Sequence, residues 1–264
     1  MEINMKVNIL AILIFLILGK TATQAQLLWY ADPNKPYTDN FYNLNREPNE
    51  EGTSAVVIDS KYGKVWKVNK PVGSKRTEFS RTQPKEPTGV NTYIPNEGDS
   101  VYMDWRWKGE IEGSEFPAKE FAIFQNKSQH NASQNHPVNI DWDGKEMMLK
   151  IVKQGTGSVG SRSSIIWKKS VPENQWVAII LKMTYSRDAK VGSVELWIDG
   201  EKQNLVGQNN DTEKRLFHRT LDDEGNYSKW GAYNEASRNF NITVYLDEMR
   251  VAKDFETANP DKYK

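Results

Sequence analysis

A lysine and a tyrosine four residues apart, near the carboxyl end of the chain, are of types that could together transfer a proton. They lie in the segment Tyr227-Ser-Lys229-Trp-Gly-Ala-Tyr233-Asn. If the segment is an extended strand, Lys229 and Tyr233 share one face, while Trp230 and Ala232 share the other. A fixed positive charge beside a phenol lowers the pKa of the phenol. Such a pair suits proton transfer at a carbon next to a carboxylate, although the spacing also fits an ordinary strand with a solvated lysine.

Cations and amides recur on three earlier segments that alternate as strands do. Each set alone fits a solvated strand face, but together they predict a groove lined with Arg, Gln, Lys and Tyr side chains. An anionic ligand would be held there by a local cluster of cations. The residues are Arg76, Glu78 and Ser80 in the first segment, Gln125 and Asn126 in the second, and Lys150 in the third, with Arg162 on the loop that follows.

The elements that must position these side chains are short strands separated by turn residues. Gly63, Asp143-Gly144 and Asp199-Gly200 mark tight hairpins. Many short strands without helical periodicity predict an all-β fold, a two-sheet antiparallel β-sandwich of the jelly-roll (concanavalin- or lectin-like) type with little helix. The predicted strands cover residues 54–59, 64–69, 75–81, 100–107, 120–125, 138–142, 146–153, 163–167, 175–184, 193–199 and 243–252.

The segments between these strands are expected to be loops and edges. Residues 26–50 read as an ordered edge segment or a loop. Residues 82–98 and 201–228 read as long loops over the groove, with one helical turn near 213–218.

The first 25 residues have the pattern of a secretion signal. Lys6 precedes an apolar run over Val7–Leu18, and small residues follow before Gln26. The run is too short to predict a membrane span. We therefore predict a signal peptide at residues 1–25, one jelly-roll domain at residues 26–264, and a monomeric protein that is secreted or periplasmic after cleavage.

Composition excludes several classes of function. The chain has 35 basic and 35 acidic side chains, and loss of Glu2, Lys6 and Lys20 with the signal leaves a net charge of about −1. No global positive field therefore favours nucleic acid. There are no cysteines, so disulfides and thiolate chemistry are excluded.

No cofactor and no metal site are predicted. His130, His136 and His218 lack metal-ligand spacing. Asp and Asn are plentiful in the predicted loops, which leaves room for a structural Ca²⁺, but no calcium-loop motif is present. The run from Gly155 to Gly160 matches a dinucleotide fingerprint by letters, yet it lacks the βαβ unit that the fingerprint requires.

An acidic segment offers an alternative chemistry. Glu110-Ile-Glu112-Gly-Ser-Glu115 resembles the Glu-x-Asp-x-x-Glu motif of jelly-roll glycoside hydrolases. Retaining hydrolysis needs two carboxylates about 5 Å apart. Here Glu replaces the central Asp and Gly113 interrupts the strand pattern, so an exposed acidic loop fits better than a hydrolase using Glu110 and Glu115.

Four segments resemble a known family. Arg76-Thr-Glu78-Phe is similar to an Arg-x-Glu-Leu strand, and Phe121-Ala-Ile-Phe-Gln125 is similar to a strand whose final Gln often precedes Trp-His. Lys229-Trp-Gly-Ala-Tyr233 and Tyr245-Leu-Asp247-Glu-Met-Arg resemble a C-terminal Lys-x-Gly-x-Tyr and Tyr-x-Asp-x-x-Arg pair. These are motifs of the jelly-roll polysaccharide lyases, which include heparin-lyase-I-like enzymes, glucuronan lyases and alginate lyases.

The resemblance implies a secreted enzyme that cleaves a uronate-containing glycan, such as alginate or glucuronan, by β-elimination and leaves unsaturated uronate ends. It implies that Gln125, with Arg76 or Asn126, neutralises the substrate carboxylate, where fixed donors help most as charge develops. Tyr233 would protonate the leaving oxygen. Lys229 would lower the pKa of Tyr233 or bind the carboxylate.

The resemblance leaves the base open. After Gln125 the chain has Asn126-Lys127 where the family usually has Trp-His. His136 or His130 could replace that histidine, or a lysine or tyrosine could act as the base. The other expected contacts to an acidic polysaccharide are Glu78, Lys150 and Arg162. A non-catalytic carbohydrate-binding sandwich is the main alternative from another class.

Overall fold

The computed structural model describes residues 27–47, 51–84, 92–113, 120–131, 133–156, 158–207, 211–234 and 239–259. Within these ranges helix is limited to α1 (Val159–Arg162), α2 (Phe255–Ala258) and two short 3₁₀ turns, Tyr37–Asp39 and Gln129–Asn131. The strands are β1 (Leu27–Tyr30), β2 (Asn43–Glu47), β3 (Thr53–Asp59), β4 (Gly63–Lys70), β5 (Arg76–Ser80), β6 (Ser100–Glu112), β7 (Phe121–Ser128), β8 (Val138–Trp142), β9 (Glu146–Val152), β10 (Ser163–Ser170), β11 (Val177–Thr184), β12 (Ser193–Ile198), β13 (Glu201–Lys202), β14 (Leu205–Val206), β15 (Thr212–Glu213), β16 (Leu216–Phe217), β17 (Asn226–Tyr233) and β18 (Asn241–Ala252).

Two antiparallel sheets make up the sandwich. The nine-stranded sheet has the order β13-β12-β11-β6-β18-β4-β3, with β1 added on β18 and β16 on β12. The seven-stranded sheet has the order β10-β9-β8-β7-β17-β5-β2, and β14 pairs with β15 separately. The predicted all-β, two-sheet antiparallel β-sandwich is confirmed.

Aromatic side chains fill the space between the two sheets. The ring of Trp105, from β6, lies 5.1 Å from that of Phe124, from β7, and 6.2 Å from that of Trp230, from β17. All three are at most 1% exposed. Full burial of one such side chain contributes roughly 1.5–3 kcal/mol. Because side chains alternate along a strand, burying Phe124 and Trp230 directs Gln125 and Lys229 to the opposite face of the seven-stranded sheet.

Local turn chemistry matches the sequence at the β12–β13 hairpin. Asp199 and Gly200 both have positive φ, 52° and 81°, as a two-residue type I′ turn requires. The segment near residues 213–218 differs from the expected helical turn. Leu216–Phe217 is a strand there, because it pairs with Val194 and Ser193 at the edge of the nine-stranded sheet.

The segment 26–50, expected to be an edge or a loop, supplies an edge strand to each sheet. β1 pairs with β18, and β2 pairs with β5. The expected signal peptide at residues 1–25 lies outside the described residues and stays a prediction, as does the single-domain boundary at residue 26. No helix among the described residues is both long enough and apolar enough to span a bilayer.

Candidate active site

A row of polar side chains crosses five strands of the seven-stranded sheet on the face away from the core. Strand register pairs Ser80 with Lys229, Lys229 with Gln125, Gln125 with Asn139, and Asn139 with Lys150. Paired residues in neighbouring strands project from the same face of a sheet. The strand order β5-β17-β7-β8-β9 therefore brings together groups that lie up to 149 residues apart in sequence.

Tyr233 lies two rows further along β17 on the same face, opposite Arg76 of β5 and Ala122 of β7. The guanidinium carbon of Arg76 is 4.2 Å from the centroid of the Tyr233 ring. The structure thus places Lys229 and Tyr233 on one face. However, the cation against the Tyr233 ring is Arg76, which has a cation–π geometry there.

Glu78 is a buried carboxylate that joins three site residues. It accepts a 2.7 Å hydrogen bond from Nε2 of Gln125 and a 3.3 Å bond from Nζ of Lys229, and Nη1 of Arg76 is 3.9 Å away. Glu78 and Lys229 are 1% and 2% exposed. Glu78 was expected to contact substrate, and Lys229 was expected to lower the pKa of Tyr233 or bind the substrate carboxylate. Both are instead buried beneath the site, and Glu78 fixes the orientation of the Gln125 amide.

Gly231 permits this close approach of β17 to β5. It lies opposite Glu78 with φ of 149°. A Cβ atom at this position would collide with the carbonyl oxygen of Thr77 and lie 2.7 Å from Cα of Glu78. The glycine in the Lys-x-Gly-x-Tyr motif is therefore required by backbone proximity as well as by its φ angle.

An open pocket of about 350 Å³ lies on this face. It brings together Gln125, His136 and Tyr233, although these residues come from different strands and loops. The remaining lining residues are Glu120, Ala122, Asn139, Asp141, Val159, Gly160 and Asn234. Within the described ranges, no group of three or more His, Asp or Glu side chains is arranged to hold a metal ion.

His136 is the histidine that reaches the pocket. Burial lowers its pKa to about 4, and the positive charges of Lys127, Lys150 and Arg162 act in the same direction. The imidazole is therefore neutral at neutral pH. His130 is exposed and does not line the pocket.

His218, the third histidine, has a structural position. Its side chain is buried, and a ring nitrogen lies 3.1 Å from the carbonyl oxygen of Val152. Burial lowers its pKa to about 4. This is the usual arrangement of a satisfied buried histidine rather than that of a site residue.

The loop that carries His136 is anchored by Asp222. The Asp222 carboxylate accepts hydrogen bonds from Oγ of Ser128 (2.6 Å), Oγ of Ser133 (2.9 Å) and the backbone N–H of Gln134 (2.8 Å). Burial alone would raise the pKa of Asp222, but these bonds favour the charged form and lower it to about 2. The anchor fixes the part of the β7–β8 connection that precedes the pocket histidine.

Asn126 is not brought to the pocket, and its expected contact with substrate is corrected. It is fully buried on the opposite side of β7 from Gln125, and its Nδ2 donates a 2.9 Å bond to the carbonyl oxygen of Thr220. Strand alternation accounts for this, because adjacent residues in a strand face opposite ways.

Lys150 and Arg162 lie near the pocket but are engaged with the protein. Nζ of Lys150 forms ion pairs with Asp141, at 2.8 Å, and with Glu120. Burial opposes the charge on Lys150, but the two carboxylates outweigh it and raise the pKa. Arg162 donates to the carbonyl oxygens of Ser133 and Lys153 and so braces the adjoining loops.

Two cations that were not among the predicted site residues also lie on this face. Lys127 opposes Tyr227 across β7 and β17. Arg81, just beyond β5, lies between the rings of Tyr42 and Tyr227, with its guanidinium carbon 5.0 and 4.8 Å from the centroids. The sequence could have predicted Lys127 from its two-residue spacing from Gln125, which places both on one strand face. For Arg81 the sequence offered only its position at the end of a predicted strand.

Glu110, one of the two carboxylates of the alternative hydrolase hypothesis, does not belong to this site. Glu110 lies on β6 of the nine-stranded sheet and accepts a 3.1 Å bond from the Tyr245 hydroxyl on the outer face of that sheet. Glu115 lies outside the described residues. The core separates Glu110 from the pocket, so this pair does not support a hydrolase there.

Comparisons with known proteins agree with the fold and define the family. The sequence model of the family described as "Polysaccharide lyase" matches residues 24–250. The structure is similar to an endo-β-1,4-glucuronan lyase from the fungus Trichoderma reesei, with a TM-score of 0.59 and 16% identity, over 85% of this chain and 98% of that chain. It is also similar to family 7 alginate lyase A1-II′ in complex with product, with a TM-score of 0.51 and 12% identity, over 75% of this chain and 83% of that chain. No curated protein matches the sequence at a significant level.

Proposed function

Because the chain belongs to the polysaccharide lyase family, we propose that it cleaves a uronate-containing polysaccharide by β-elimination in the pocket lined by Gln125, His136 and Tyr233. The observation that carries this proposal is the convergence of an amide, a neutral imidazole and a phenol on one pocket beside several cations. Glucuronan and alginate are the substrates to test first, since similar folds include lyases named for those polymers.

Elimination first requires the negative charge of the C6 carboxylate to be neutralised, so that the C5 proton becomes acidic. Gln125 is positioned for this because its Nε2 already donates a hydrogen bond to the Glu78 carboxylate, which fixes the orientation of the amide. The Arg76 guanidinium, next to Tyr233, adds a positive charge on the same face. Donors held in place before reaction stabilise the developing enediolate charge without reorganising.

Elimination next requires a proton for the leaving O4 oxygen. Tyr233 is the pocket residue with a hydroxyl to donate. His136 is neutral, so it can hydrogen-bond to the sugar without forming an ion pair with the sugar carboxylate. Lys229 supports the reaction indirectly, because it is paired with Glu78 and so maintains the position of Gln125.

The proposal is tested by the product. Purified protein is incubated with glucuronan, alginate and a neutral glucan, and both ultraviolet absorbance and reducing ends are measured. We expect the absorbance of the C4=C5 double bond to rise with a uronate polymer alone. Reducing ends without absorbance would indicate hydrolysis, and binding without either product would indicate a non-catalytic module.

Export follows from the proposed substrate, since a polysaccharide is degraded outside the cell. The amino-terminal pattern of residues 1–25 supports it. Amino-terminal sequencing of protein recovered outside the cytoplasm should begin at Gln26. Recovery of intact protein in the cytoplasm alone would contradict export.

A further inference from the structure

Lys127 occupies the same face of β7 as Gln125, two residues further along the strand. Register with β17 is regular at both positions, since Gln125 pairs with Lys229 and Lys127 pairs with Tyr227. The Lys127 ammonium donates a hydrogen bond to Oδ1 of Asn135. Asn135 directly precedes His136, so the ammonium lies beside the loop residue that reaches the pocket.

Charged groups from every neighbouring element act on Lys127. Burial is the largest effect and lowers its pKa, and the positive charges of Lys229 and Arg76 lower it further, to about 8, against the opposing carboxylates of Glu78 and Asp222. The groups facing it are thus Lys229 and Tyr227 of β17, Arg76 and Glu78 of β5, Asp222 before β17, and Asn135 and His136 before β8.

Lys127 and His136 therefore differ as proton acceptors. The pKa of His136 is about 4, which makes its neutral imidazole a weak base. The pKa of Lys127 is about 8, so a substantial fraction is a neutral and more basic amine at mildly alkaline pH. A general base works best when its pKa lies near the working pH.

We propose that Lys127 is the catalytic base that removes the C5 proton, an inference that rests on the proposed lyase function. The neutral amine takes the proton and becomes ammonium. The C5–H electron pair forms the C4=C5 double bond, the C4–O4 bond breaks, and O4 receives the proton of the Tyr233 hydroxyl. Loss of a proton from Lys127 to water and gain of one by Tyr233 restore the enzyme, so atoms and charge balance.

Three substitutions of Lys127 distinguish a base from a binding cation. Lys127→Met should lower kcat by roughly 10²–10⁴-fold. Lys127→Arg keeps the charge but cannot lose its proton, so it should be as impaired as Lys127→Met. Lys127→His should recover part of the activity, with the rising limb of kcat against pH moving from near 8 towards the ordinary histidine pKa of about 6.5. The matched control is Lys168→Met on β10, where the side chain is 61% exposed, and it should keep full activity.

The outcomes separate this inference from the proposed function. If the unaltered protein makes unsaturated ends and Lys127→Arg keeps its kcat, Lys127 is a binding cation and the base assignment is overturned. A Lys127→Met protein that retains kcat would also overturn the base assignment. If the unaltered protein makes no unsaturated ends from any uronate polymer, the proposed function itself fails. Because Lys127→Arg retains charge and length, it tests the idea even if Lys127→Met does not fold.

Discussion

The Arg76 guanidinium lies 4.2 Å from the centroid of the Tyr233 ring, while Lys229, four residues before Tyr233 in the same strand, is bound to Glu78. The positive charge next to the proposed acid thus comes from a different strand. Arg76 keeps the phenol in a fixed position on the pocket wall, and Lys229 keeps the carboxylate beneath Gln125 in place. The two cations have separate tasks, which variants can resolve.

Removing the hydroxyl of Tyr233 should impair turnover and leave the fold intact. Tyr233→Phe retains the ring against Arg76 but removes the proton proposed for O4. We expect kcat to fall by roughly 10²–10⁴-fold, with little change in melting temperature. The matched control is Tyr245→Phe, whose hydroxyl bonds to Glu110 on the outer face of the other sheet, and it should retain activity. Near-normal turnover by Tyr233→Phe would place the acid elsewhere.

Breaking the buried pair between Glu78 and Lys229 should destabilise the protein. Glu78→Gln preserves shape but leaves the nearly inaccessible Lys229 ammonium without its carboxylate. Loss of one partner of a buried pair costs about 3–5 kcal/mol. Chemical denaturation measures this cost. The double variant Glu78→Gln/Lys229→Met should lose less than the sum of the two single losses, because the pair acts as a unit. Strict additivity would mean that the two residues are not coupled.

Substituting Gly231 should lower the free energy of unfolding by more than its positive φ angle alone explains. Gly231→Ala introduces a Cβ that collides with the backbone of Thr77 and Glu78. Gly200→Ala is the control, since Gly200 also has positive φ, 81°, but nothing lies within 4 Å of its added Cβ. The control should cost about 1–2 kcal/mol, and Gly231→Ala should exceed it in free energy of unfolding and also reduce activity. Equal costs would mean that β5 moves away freely.

Protonation of Asp222 in acid should lower the free energy of unfolding. Its pKa in the folded state is about 2, below the ordinary value of about 3.9 for an unfolded chain. The contribution is therefore complete above pH 4 and is lost as the pH falls from about 4 to 2. A difference of about 1.9 pKa units, at 1.36 kcal/mol for each unit, makes the loss about 2.6 kcal/mol. Asp222→Asn should be less stable at pH 7 and should lack this step in an unfolding series. An unchanged acid profile would contradict the assignment.

Much of the architecture follows from local patterns in the sequence. Alternation in Lys229–Tyr233 predicts which side chains face the core, and Trp230 and Ala232 are indeed 1% exposed. The Asp199-Gly200 turn predicts a hairpin, because these residue types tolerate positive φ. Such features depend on neighbours in the chain, so the sequence is enough to determine them.

The composition of the pocket depends on strand order. Sequence alone determined the alternating strands, the turns, the absence of thiol chemistry and the family motifs. Tertiary structure decided that Arg76 contacts Tyr233, that His136 rather than His130 reaches the pocket, and that Asn126 faces inward. It also added Lys127 to the set of candidate residues. Each of these depends on which strands are neighbours and on how a loop is anchored, and those contacts join residues distant in sequence whose pairing is selected by the packing of two whole sheets.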